Sequence, residues 1–316
     1  IDLGTSGIKI ALINNNKELV YKASKEYSNC LESCIDWEEC TKSIINEIPS
    51  KYKRNIAACS IDGTSGTLTA CSKEGKPFGK AIAYYNNCLD ERDSFIDIFK
   101  SKDISINSYG SITRAISLLK QYGENILLRH QADWVSGLLL GHWKYGEGSN
   151  NIRLGWDIIN KNWIPEIKSI RWRKSLPIII SSGKNLGRIS HLIARDLDLP
   201  LDIQIISGTT DSNAAVLATD SSPNEGVTVL GSTLVMKCYT KEPINSPGIT
   251  NHRVGGKWVC GGASNSGGAV LKQFFTEKDL IQLSRQINPL LRSGLKYFPI
   301  ATKGERFPID DPTIEP

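Results

Sequence analysis

Histidine is scarce: His130, His142, His191 and His252 are the only four in 316 residues, and none stands at zinc-ligand spacing. With no G-x-S-x-G and no H-E-x-x-H, triad hydrolysis and zinc chemistry have little material. The common nucleotide signatures are missing too, since neither G-x-x-x-x-G-K-[ST] nor a strand-borne G-x-G-x-x-G occurs. No apolar run approaches the roughly 18 residues of a membrane span. Val135 to Leu140 and Ile178 to Ile180 are among the most apolar stretches, so a soluble protein without a membrane partner is expected. The chain opens on Ile1-Asp2-Leu3-Gly4 with neither an initiator Met nor a signal-peptide pattern, and the opening reads as cut from a longer strand. The eight cysteines form no C-x-x-C pair and read as reduced thiols in a cytoplasmic protein.

What remains is ordinary globular composition at a length that fits about two domains. The net charge of +5 is too small to imply a nucleic-acid partner. Lys168 to Lys174, which interleaves basic residues with Trp172, reads as a solvated segment whose aliphatic stems cover the indole. Strands are expected at 8–13, 18–21, 56–61, 68–71 and 203–206, and helices at 37–48, 113–122, 132–140 and 185–197. After 223–226 the pattern restarts with strands at 227–230 and 234–239. A domain boundary is therefore expected near residue 220, giving domains of 1–220 and 221–316.

One theme recurs: an apolar strand runs into a turn of Gly with Ser or Thr. It appears at Asp2-Leu3-Gly4-Thr5-Ser6-Gly7, Asp62-Gly63-Thr64-Ser65-Gly66, Gly208-Thr209-Thr210-Asp211 and Gly231-Ser232-Thr233. Glycine admits close backbone approach and Ser/Thr add hydroxyls, so such turns can cradle phosphate. Any one of them alone is more simply a tight connection. Three carry an aspartate, however, and carboxylates beside phosphate serve phosphoryl transfer by holding Mg²⁺ or taking a proton.

Together these motifs resemble the FGGY family of carbohydrate kinases, in the actin, hexokinase and Hsp70 superfamily of ribonuclease H-like domains. Asp2-Leu3-Gly4-Thr5-Ser6-Gly7-Ile8-Lys9 is similar to the family's first phosphate motif. Ile61 to Thr67, with Gly75-Lys76-Pro77, Ala81 to Asn87 and Glu91-Arg92, is similar to its sugar-side segment. Gln131-Ala132-Asp133-Trp134, Asn150-Asn151, Gly155-Trp156-Asp157, Gly208 to Ala215, Leu230 to Thr233 and Gly261 to Gly268 follow in the family's order. The resemblance implies an α/β fold of two ribonuclease H-like domains flanking a cleft, the second truncated. It further implies an ATP- and Mg²⁺-dependent sugar kinase of the pentulose branch, acting on D-ribulose or alternatively D-xylulose. Asp211 would be the base, Asp2 would hold Mg²⁺ through water, and Gly4, Thr5 and Ser6 would cradle phosphate. Ser65 and Asp62 would lie near the sugar, unless Asp62 caps its turn. Gly231, Ser232 and Thr233 would form a second phosphate hairpin, and Gly262 to Gly268, including Gly267, would lie on the nucleotide side.

Two features depart from the family pattern. Tyr84-Tyr85-Asn86-Asn87-Cys88 carries amides where the family often has an acid, and the chain ends at Pro316 before an adenosine motif. A fragment is the expectation. The rivals are a non-catalytic sugar- or nucleotide-binding protein on the same scaffold and an actin-like or chaperone-type ATPase.

Overall fold

A computed structural model describes residues 1–101, 109–223, 225–231, 233–296, 298–300, 303–309, 311 and 313–316. The chain divides into two compact units, Ile1–Ala215 with Arg253–Gly256, and Val216–His252 with Lys257–Pro316.

The first unit begins with a hairpin. Strands Gly7–Ile13 and Leu19–Glu26 pair antiparallel across a turn in which the Asn14 side chain accepts the N–H groups of Asn16 and Glu18. Ile8 and Ile10 are buried while Lys9 and Ala11 are exposed, the period-2 alternation of a sheet with one face on the core. Strand Asp2–Leu3 pairs antiparallel with the hairpin and, on its other side, parallel with Asp62–Gly63. Only Ile61 separates that short strand from Ala58–Ser60, which pairs parallel with Gln204–Ile206. Residues 58–63 therefore run between the amino-terminal strands and the strand leading to Asp211.

Helix Cys34–Asn46, capped by Ser33, buries Trp37, Ile44 and Ile45 against this sheet. Helix Gln131–Leu140 is buried along its whole length. It is apolar nearly all round, as a central helix must be, and Ala132 packs against Gly63. A second cluster forms where strands Leu68–Cys71 and Leu127–His130 pair antiparallel beneath helix Gly110–Tyr122, burying Leu68, Phe95, Ile112 and Leu128.

One expected element is different. Residues 185–197 are not a single helix: Asn185–Arg188 is a strand, antiparallel to Gln204–Ile206 with a register shift, and only His191–Asp196 is helical. Gly187 sits at φ +138°, which no helix accommodates, and accepts the irregularity. Trp172 is buried in the second core cluster rather than beneath the stems of its basic neighbours, and Arg173 lies over the ring of Trp163 at 4.9 Å.

The chain beyond residue 225 forms a four-stranded sheet in the order Gly226–Leu230, Leu234–Thr240, Lys257–Ser264, Thr250–Val254, and most of it lies in the second unit. The first pair closes tightly at Gly231–Thr233. Helices Gly268–Phe274 and Glu277–Ser284 follow, the latter opened by a capping box of Thr276 and Asp279.

Candidate active site

Asp2 and Asp62 are register partners in a parallel ladder, as are Leu3 and Gly63. Partners in such a ladder lie about 4.8 Å apart and send their side chains to the same face. Gly63 is in turn bridged to Thr210, which places the start of helix Asp211–Ala218 one residue beyond the same sheet edge. Asp2, Asp62 and Asp211 thus arise from three adjacent chain segments. All three are half-buried. Burial is the main cause that lifts the Asp62 carboxyl above the usual range, and the like charges of Asp2 and Asp211 add to it. The Thr209 N–H, donated to Asp62 Oδ1 at 2.9 Å, pulls the other way. Asp62 therefore caps the 208–210 turn across the sheet. Gly208 makes that crossing feasible, because a Cβ there would stand 2.0 Å from the Ile61 carbonyl oxygen. Asp211 Oδ1 accepts the Ser212 N–H at 2.5 Å, and Asn213 reaches back to Thr209 Oγ1.

The first two turns are held in mutual register by a buried relay. Tyr27 donates to the Gly4 carbonyl at 3.2 Å, and Gln131 Nε2 donates to the Tyr27 hydroxyl at 3.1 Å. Gln131 Oε1 then accepts both the N–H and the Oγ1–H of Thr64, at 3.2 and 2.7 Å. Thr67 Oγ1, beside Thr64 Oγ1, accepts the Tyr84 N–H. Burial pushes the Tyr27 phenol far up, so it remains a donor. Thr5 and Ser6 stay exposed at the tip of their turn, and Ser65 is half-buried between buried Thr64 and Gly66. Gly7 has no alternative: an added Cβ would meet the Lys25 carbonyl oxygen at 2.3 Å. The motif reading supplied the turns but not Tyr27 as the pin between them.

A second buried polar group lies beside the sheet edge. Asp133 accepts the Glu147 N–H at 2.9 Å and the Asn151 side-chain amide at 3.0 Å, while His130 Nδ1 stands 3.8 Å from Asp133. Glu147 caps Gly148–Asn151 by accepting the N–H groups of Ser149 and Asn150. Ile61, Asp133, Glu147, Ser207 and Gly208 line one small cavity.

In the second unit Gly231 N bonds the Thr233 carbonyl, and the Gly231 carbonyl accepts the Gly268 N–H at 2.7 Å. The hairpin tip and Gly267 are therefore neighbours. Ser232 lies outside the described residues. Gly262 does not join them: a Cβ there would collide with the Phe307 ring at 2.4 Å, so its smallness serves packing. Glu305, which the motif reading passed over, is buried. It accepts Ser264 Oγ at 2.6 Å and the N–H groups of Asn265, Arg306 and Phe307. Burial pushes its carboxyl up, but these donors outweigh it and hold it below the usual range. The adjacent Gly304-Glu305-Arg306-Phe307-Pro308 was the available signal.

Among the described residues no group of three or more His, Cys, Asp or Glu could hold a metal ion. Asp2 alone, beside an exposed Thr-Ser turn, suits an ion held chiefly by phosphate oxygens and water, as Mg²⁺ is. All eight cysteines are free, and no helix among the described residues is long and apolar enough to cross a membrane.

No family model matches the chain. L-fuculokinase of Escherichia coli K12 is 21% identical over 261 residues, covering 73% of this chain and 54% of that protein. The chain thus spans about half the length of the curated relatives it matches. Among solved structures, a xylulose kinase from Brucella ovis superposes with a TM-score of 0.79 at 18% identity, covering 99% of this chain and 71% of the other. A ligand-bound xylulose kinase from Lactobacillus acidophilus gives 0.76 at 17%, with 98% and 69% covered. Glycerol kinase from Plasmodium falciparum gives 0.72 at 16%, with 90% and 65% covered. The mixed α/β architecture of this chain is the fold of the carbohydrate kinases.

Proposed function

We propose that the chain belongs to an FGGY-type sugar kinase that transfers the γ-phosphate of ATP to a hydroxyl of a ketopentose, D-ribulose first and D-xylulose as the alternative. The observation that carries this reading is the register pairing of Asp2 with Asp62 and the bridge from Gly63 to Thr210. A loose grouping of turns would not line up three aspartates at one sheet edge. The likeness to kinases of L-fuculose and xylulose supports the same reaction class.

In this reading Asp211, at the start of its helix, accepts the proton of the attacking sugar hydroxyl. Gly4, Thr5 and Ser6 offer N–H and hydroxyl donors to phosphate oxygens, while Asp2 holds Mg²⁺ through water. When bound, the ion neutralises charge on the transferring phosphoryl group. Asp62 orders the Asp211 turn through the Thr209 N–H, and Ser65 faces the acceptor. In the second unit Gly231, Ser232, Thr233 and Gly267 take the nucleotide phosphates. Substrates are then a small sugar and ATP, in a soluble cytoplasmic enzyme.

The test is ADP release with Mg-ATP and D-ribulose, D-xylulose, L-ribulose, L-fuculose, ribitol or glycerol, using wild type and Asp211→Asn. Sugar-dependent release that falls by a factor of about 10² to 10⁴ in the variant, with sugar binding retained, is the expected result. Release indifferent to every sugar would move the reading to an ATPase. Binding of sugar without release would make the chain a non-catalytic binding protein.

A further inference from the structure

Arg114, in helix Gly110–Tyr122, has no solvent exposure. A buried guanidinium is ordinarily matched by a carboxylate. Here the ionisable groups acting on it are Arg153 and the Cys88 thiol, itself kept neutral by burial, and burial above all lowers the Arg114 pKa to about 10, so it remains a cation at neutral pH. Its donors go to neutral acceptors on two separate loops and to one on its own helix. Nε donates to the Asn86 carbonyl at 2.8 Å, and Nη1 to the Gly66 carbonyl at 3.2 Å and to Ser111 Oγ at 3.4 Å. Nη2 donates to the Tyr84 carbonyl and to Asn87 Oδ1 at 3.3 Å. These contacts engage every N–H of the fork. The preceding residue closes the same seam, where Thr113 Oγ1 donates to the Asn87 carbonyl at 2.7 Å.

The amides that depart from the family pattern thereby acquire a role. Asn87 Oδ1 accepts from Arg114 and Asn86 Oδ1 accepts the Cys88 N–H, so one amide ties the loop to the helix and the other closes it on itself. What the loop leaves more open is the Tyr84 and Tyr85 rings, edge to face at 5.2 Å, and half-buried Ser65 beside Gly66. Gly66, at φ +97°, is in the left-handed region and brings its carbonyl to the guanidinium.

We propose that Arg114 is a positioning residue for the sugar acceptor: by clamping the Gly66 carbonyl to the Tyr84–Asn87 segment it fixes where Ser65 and Tyr84 stand. This rests on the reading that the 62–67 and 84–92 segments face the sugar. The planar fork is essential, because lysine offers three donors from one point and cannot span two loops.

The experiment compares wild type with Arg114→Lys, and with Arg114→Met should lysine fail to fold. Thermal midpoint, amide hydrogen exchange, and KM and kcat for the best sugar and for ATP are measured on each. The expected result is a midpoint within about 5 °C of wild type, with exchange at 65–67 and 84–88 faster by roughly tenfold or more. Sugar KM should rise about tenfold or more while kcat and ATP KM change less than about threefold. Faster exchange with an unchanged sugar KM would reduce Arg114 to a packing residue and overturn the proposal. So would acceleration spread evenly over the unit. A wild type with no sugar-dependent turnover overturns the kinase reading, and this proposal with it. Active wild type with a kinetically silent variant overturns the proposal alone.

Discussion

Among single residues Glu147 has the most telling environment. It is buried and caps a helical turn, and Asp133 stands beside it. Burial is the largest effect and drives its pKa up to about 8; Asp133 pushes the same way, while the Ser149 and Asn150 N–H groups oppose both. A folded-state pKa above the unfolded value of 4.5 means that folding favours the protonated acid. The associated stability is fully present below about pH 4.5 and is lost as pH rises through about 8. Glu147→Gln is neutral throughout and keeps one carbonyl for capping, at a cost of about 1 kcal/mol. Urea midpoints at pH 5, 6.5 and 8 should decline in wild type, and that part of the decline should be missing in the variant. Parallel profiles would show that Glu147 is ionised in the folded protein.

At the level of elements, the first unit depends on strands crossing closely where motifs meet. At Gly208 a methyl group would stand 2.0 Å from the Ile61 oxygen and 2.6 Å from its carbonyl carbon, both backbone atoms that no rotamer change can remove. Gly208→Ala must therefore separate the Asp62 strand from the Thr209 turn. A loss of about 2 kcal/mol or more is expected in urea unfolding, and turnover should fall with it because the Asp62 bond to Thr209 N–H is displaced. A variant as stable and active as wild type would show that the crossing is looser than described. Such proximity explains what could be read in advance. The hairpin at 7–26 has alternating burial, while the strand at 68–71 and the helix at 131–140 are buried throughout and were legible from their ends. The turns announced themselves through Gly beside Ser or Thr. The Tyr27–Gln131 bond joins residues 104 apart, and no local pattern encodes such a pairing. The 185–197 misreading has a local cause, since apolar spacing suited a helix while Gly187 and the pairing with 204–206 imposed a strand.

For the molecule as a whole, the decisive fact is where apolar surface is buried. Both large core clusters draw entirely on residues between Leu3 and Ile205, in the first unit. The second unit buries a shorter set that includes Val227, Tyr239, Trp258, Val259 and Val270, while Phe274, Ile287, Leu290, Leu291 and Leu295 remain exposed. Stability scales with apolar area removed from water, at about 25 cal/mol per Å², so the two units should not unfold together. Six of the seven tryptophans, all but Trp258, lie in the first unit, which makes the order observable. With rising urea, hydrogen exchange and protease cutting across 257–296 should appear first, with little change in fluorescence. The large tryptophan signal should follow at higher urea, when Trp37, Trp134 and Trp143 lose their mutual packing. Coincident midpoints by fluorescence and proteolysis would mean that the second unit derives its stability from the first and unfolds as part of one cooperative body.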